Sequence, residues 1–234
     1  MIDLSTLPVG AVLATYGDDL YRDGLPNNWY ERLGLRIVYS QIHVHQRHVW
    51  PDAPRTQCDA IHSQGKIYTL DGTSGLWGSV TTPRCVIEEP RLDADWRARA
   101  FIWEGTQFYT PECWAAYEQV WNDLLGTEYD YKQLVQIKFW DWFGWAVKDP
   151  RIIEWILDPS HKRRVCSVGC MAAHYAAWQK FRAPRKSEAD HFGRFFPPPN
   201  LRANGKKLYL EHVPPAFFEN EPRWFKVGEQ GFSH

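Results

Sequence analysis

The chain has 234 residues, 27 basic against 28 acidic for a formal charge of -1, with 44% hydrophobic and 15% aromatic content. That length and apolar fraction suffice for a core without a disulfide framework, and the balanced charge leaves no bulk field for nucleic acid or an anionic membrane. No apolar run approaches the roughly eighteen residues that span a bilayer, and the mixed opening Met1-Ile2-Asp3-Leu4-Ser5-Thr6 lacks a secretory apolar segment, so synthesis in the cytoplasm without signal peptide or membrane span is expected.

In chain order, Gly10-Ala11-Val12-Leu13-Ala14-Thr15-Tyr16 is a short apolar run ended by Gly17-Asp18-Asp19, and it reads as a first strand. Trp29, Leu33 and Ile37 follow at helical spacing. Val38 to His45 then alternates with period two, which puts Gln41, His43 and His45 on one strand face and Ile42 and Val44 on the other. Cys58 to His62 and Lys66 to Asp71 flank Ser63-Gln64-Gly65, the chemistry of a hairpin turn. Arg84 to Ile87 and Arg97 to Trp103 complete a front half expected to be a β-sheet or small barrel.

The pattern changes at Thr110-Pro111-Glu112, where a capping residue, a first-position proline and a first-turn acid predict a helix. It carries Trp114, Tyr117, Val120, Trp121 and Leu124 and stops before Gly126. A second helical segment, with Leu134, Ile137, Phe139, Trp142 and Phe143, follows Tyr129-Asp130-Tyr131, and Arg151 to Leu157 makes a short third. Next comes a helix opened by Cys166-Ser167. From Pro184 onward proline, glycine and charge dominate, with Pro197-Pro198-Pro199 and one strand at Lys207 to Val213. This points to an α+β chain: an antiparallel sheet packed on helices over residues 1–183, and an extended Pro-rich C-terminal tail over 184–234 that docks on the domain or on a partner.

The chemistry concentrates at Arg164-Val165-Cys166-Ser167-Val168-Gly169-Cys170. A thiol at a helix opening lies near free backbone N–H groups and the positive end of the helix dipole, which favour thiolate and so prepare it for attack on a carbonyl. The bland alternative is a small buried residue on an Ala-rich packing helix. The five cysteines are odd in number and lack CxxC spacing, so they read as reduced thiols.

The order strand, polar strand, hairpin, helices and late Cys-Ser helix resembles the permuted branch of the papain-like superfamily, relatives of NlpC-type cell-wall peptidases. The matching segments are Gly10 to Thr15, Ser40-Gln41-Ile42 or Thr56-Gln57-Cys58, Tyr68 to Gly75, Tyr129-Asp130 and Cys166-Ser167, over roughly residues 8 to 181. The resemblance implies a permuted papain-like fold and a cysteine amidase or peptidase without cofactor, with Cys166 as nucleophile and a peptidoglycan stem peptide or other small amide as substrate.

Both positions that match the family's catalytic histidine hold glutamine, Gln41 and Gln57, and glutamine cannot accept and return a proton near neutral pH. His43, on the Gln41 face about 7 Å along the strand, His45 one step further and His62 are the remaining candidate bases. Asp71 is the candidate third group, with a turn-forming role before Gly72 as its alternative. Cys166, Cys170 and His174 recur every four residues, but the outer two lie about 12 Å apart along a helix, too far to share one zinc, so no metal is expected.

Two functions stay open. One is a thiol hydrolase acting on peptidoglycan peptides. The other is the same fold without a base, a structural or docking component of a larger protein assembly such as a phage tail or virion, which suits 13 Trp, 11 Tyr and 12 Phe and a long Pro-rich tail.

Overall fold

The computed structural model describes residues 2–16, 47, 56–62, 65–70, 85–88, 97–127, 166–182, 202–203, 206–207, 213 and 215–231. The elements are β1 (Val12–Tyr16), β2 (Thr56–Ile61), β3 (Ile67–Leu70), β4 (Cys85–Glu88), β5 (Ala98–Trp103), α1 (Pro111–Leu124), α2 (Cys166–Arg182), β6 (Arg202–Ala203), β7 (Lys206–Lys207), α3 (Phe217–Asn220) and β8 (Trp224–Gln230). An antiparallel sheet of six strands runs β4-β3-β2-β1-β5-β8, and β6 and β7 form a separate two-residue pair. The architecture is α+β, with the sheet formed mostly from the front of the chain. The expected helix around Trp29, the strand from Val38 to His45, and the helical segments at 129–143 and 151–157 lie outside the described residues.

β1 is buried along its whole length because it is central and covered on both faces. Its alternation splits the core. Val12, Ala14 and Tyr16 face the helices together with Cys58, Ala60, Tyr68, Phe101 and Trp103, whereas Ala11 and Leu13 join Ile61, Ile67, Ala98 and Ala100 on the other face. The chain's own start covers that second face, where Ile2, Leu4 and Leu7 pack onto small residues. Asp3 holds the covering segment in shape, its carboxylate accepting from the Ser5 N–H at 2.9 Å.

The hairpin between β2 and β3 turns at Gly65, whose φ of 78° is a left-handed value that glycine adopts without strain. α1 begins at Pro111 and ends at Leu124 ahead of Gly126, as its start and stop residues predict. Thr110 stands at the cap position, yet its hydroxyl pairs with the Cys113 thiol at 3.3 Å rather than with a backbone N–H. The buried stripe is Cys113, Tyr117, Trp121 and Leu124, with Trp114 and Val120 packed at its margin. Tyr68 of β3 stacks on Trp121 with centroids 4.8 Å apart. Past the helix, Gly126 donates to the Cys85 carbonyl and Cys85 to that of Thr127, at 2.8 and 3.0 Å, which fastens α1 to the β4 edge.

α2 is buried on every side through its first nine residues, Cys166 to His174. It lies against both α1 and β2. A helix enclosed in this way needs small or apolar residues all round rather than on one stripe, which the Ala, Gly and Cys content supplies.

The end of the chain returns to the sheet. β8 pairs antiparallel with β5, and Val213, Phe217, Phe218 and Trp224 belong to the same core cluster as Cys166. Of the strand expected from Lys207 to Val213, Lys207 is in β7, Val213 is buried outside any strand, and 208–212 lie outside the described residues. Arg99 clasps the junction by pairing with Glu229 at 2.7 Å and with Glu219, while its guanidinium covers the Tyr16 ring.

Candidate active site: a thiol cluster between sheet and helix

Cys58 sits in mid-β2 opposite Ala14 of β1, and alternation turns it to the helix-packed face. There it meets the opening of α2. It shares that buried cluster with Cys166 and Cys170, one helical turn apart on α2. Cys85 and Asp59 lie near enough to act electrostatically on Cys170 or on each other. All five cysteines of the chain are buried free thiols.

Burial disfavours a thiolate, and it raises Cys58 well above the ordinary thiol value, Cys85 to about 12, and Cys170 also upward. Cys166 moves the other way. Its thiol is held below the ordinary value by hydrogen bonding with Cys58 first, opposed by desolvation and helped by the backbone N–H groups of Cys58, Ser167 and Cys166 itself. Cys58 is thereby held protonated as a donor. The cluster has one member prepared to ionise among partners that resist it.

The other candidate residues are placed as follows. His62 follows β2, its N–H donating to the Lys66 carbonyl at 2.9 Å and its ring edge-on to Tyr68 at 4.7 Å. Along an extended strand it is about 13 Å from Cys58, the β2 residue that meets Cys166. His43, Asp71, Gln41 and His45 lie outside the described residues. Gln57 precedes Cys58 in β2, paired with Thr15 of β1.

His174 lies two turns along α2 from Cys166 and is fully buried. Its Nε2 is 2.9 Å from the Gly10 carbonyl, so that nitrogen carries the proton, while Nδ1 stands 3.3 Å from the Tyr109 hydroxyl, which donates to the His174 carbonyl at 3.0 Å. Trp103, Tyr109, Tyr117 and Trp224 surround the ring at centroid distances of 5.0 to 6.3 Å. Burial lowers its pKa to about 4, only partly opposed by the carbonyl. This histidine is a neutral core residue rather than a proton shuttle or metal ligand.

Among the described residues, no group of three or more His, Cys, Asp or Glu side chains is arranged to hold a metal ion, and no helix is long and apolar enough to cross a membrane. The arrangement offers two kinds of chemistry, nucleophilic attack by the Cys166 thiolate and thiol–disulfide exchange within the cluster. No protein-family model matches the chain, and comparison with curated proteins and with solved structures found no match either.

Proposed function

We propose that the chain is a thiol hydrolase, an amidase or peptidase of the NlpC-like permuted papain type, with Cys166 as nucleophile and a peptidoglycan peptide as substrate class. The observation that carries the reading is the hydrogen-bonding around Cys166 at the start of α2, which favours its thiolate while burial suppresses those of Cys58, Cys85 and Cys170. In such a reaction Cys166 Sγ attacks the amide carbonyl, an acyl-enzyme forms, the amine leaves with a proton, and water releases the acid. His43 is the candidate proton carrier on the sequence pattern, and Asp71 the group that would orient it.

A second reading is favoured by one specific observation: the β2 side chain that shares the buried cluster with Cys166 is Cys58, a thiol that burial makes too weak an acid to exchange protons near neutral pH. On that reading the domain is a silent structural component, of the sort a phage tail would use. Purified protein incubated with peptidoglycan fragments separates the two. The hydrolase reading expects new amino termini with the wild type, loss of at least about 1000-fold with Cys166→Ala, and loss of about 100-fold or more with His43→Ala. No cleavage by a folded wild type, with Cys166 alkylated only near the ordinary thiol pKa, leaves the structural reading.

A further inference from the structure

We propose that Val227 guards an open sheet edge: the extra residue it adds to β8 keeps that strand from pairing with β8 of a second copy of this chain. The inference stands apart from peptide hydrolysis, because a chain that cleaves no amide still passes or fails it.

Among the described residues the sheet order leaves β4 and β8 outermost, and the two edges differ. At β4 the chain closes its own edge, because the segment after α1 exchanges backbone bonds with Cys85 and bridges to it through Leu125. At β8 no described strand other than β5 pairs with it. The strand is seven residues long, with Phe225 51% and Val227 40% exposed, and an outermost strand of this kind sets unpaired backbone groups beside apolar side chains.

The charges of β8 say what it would pair with. Without Val227 the strand reads Trp-Phe-Lys-Gly-Glu-Gln, and two antiparallel copies centred on Gly228 set Lys226 of each opposite Glu229 of the other. Opposite charges directly across a ladder attract. With Val227 present the register shifts, Phe101 pairing with Lys226 and Ala100 with Gly228, while the pairs on either side continue unbroken from Trp224 to Gln230. Val227 is therefore not needed to join β8 to its own sheet. What it changes is the outer edge, which a bulge bends and twists away from a flat mate. The Lys226–Glu229 ion pair, 2.8 Å long, spans the bulge and holds within one chain the two charges that would otherwise meet between copies.

The test compares the full chain with and without Val227 by sedimentation velocity over about 1–100 µM, with circular dichroism reporting whether each is folded. The wild type should keep one mass throughout, and the deletion variant should fold and move to twice that mass as its concentration rises. Adding Lys226→Glu to the deletion sets like charges opposite one another and should restore the single mass. If the deletion variant is unfolded, replacing Val227-Gly228 by one alanine shortens the strand equally and takes its place. A folded shortened variant that keeps the wild-type mass, a doubled mass that survives Lys226→Glu, or a wild type whose own mass doubles over this range would overturn the proposal. So would failure of both shortened variants to fold, since the bulge would then be a requirement of the fold itself. Cleavage of peptidoglycan by the wild type, present or absent, bears on the hydrolase reading alone.

Discussion

His174 is fixed at its ring and its backbone, Nε2 donating to the Gly10 carbonyl and its own carbonyl accepting from the Tyr109 hydroxyl. Its titratable neighbours Tyr109 and Tyr117 stay neutral, since burial raises both. With the native pKa at about 4 against 6.5 for a solvated imidazole, the unfolded chain takes up the proton first as pH falls. The stabilising contribution is therefore complete above pH 6.5 and is lost progressively between 6.5 and about 4, amounting to about 3 kcal/mol. Urea titrations across that window should show the decline. His174→Gln, which keeps an N–H donor but does not titrate, should be less stable at pH 7 and lose this component of the slope; an unchanged slope would contradict the assignment. Gly10 belongs to the same unit, because its φ of 82° is left-handed and an added Cβ would press on the Trp114 ring at 3.0 Å. Cys166 was legible from sequence because helix-start chemistry is local. The role of Cys58 was not, since it depends on which strand residue a helix over 100 positions away packs against. His174 was readable only as a spaced repeat on a helix, and its fixed partner Gly10 lies 164 residues away.

At the scale of elements, local signals served well where one residue type decides a conformation. Pro111 and Gly126 mark the limits of α1, and Gly65 the β2–β3 turn. β8 escaped because its alternation is broken. Ala100 pairs with Gly228 and Phe101 with Lys226, leaving Val227 as an extra residue, so Phe225, Lys226 and Val227 are all exposed in succession. The link from β5 to α1 offers a sharp test of packing. Trp103 closes β5 and folds back over Gly105, and a Cβ there would stand inside the space of the indole ring. Trp103 is buried against Trp178 and Tyr109 and cannot swing away. Gly105→Ala should cost about 1–3 kcal/mol by overpacking, read from the shift in denaturation midpoint. A shift below a few tenths would mean that the ring relocates freely.

For the whole molecule, the compositional break at Pro184 predicts a tail that docks on the domain or on a partner, and the described end of that segment, β8, pairs with β5 of the sheet. What composition does not reveal is that Trp224 goes beneath the sheet, against His174 at 5.2 Å and Phe218 at 4.7 Å. Two neighbouring aromatics measure this. Trp224 is 6% exposed and Phe225 51%. Trp224→Ala should cost about 3–5 kcal/mol, while Phe225→Ala stays within about 0.5 kcal/mol. Equal small losses in the isolated protein would mean that this segment is ordered by something other than its own domain.

The clasp of Arg99 on Glu229 also sets a schedule. The two residues are separated by 130 positions in the chain, so a ribosome adding about 5–20 residues per second finishes β5 on the order of ten seconds before β8 exists. Throughout that interval β5 presents an open row of backbone donors and acceptors, beside an indole pocket without its Trp224 lid. An unpaired strand edge is prone to aggregate, and the order of the strands in the chain sets how long this one stays open.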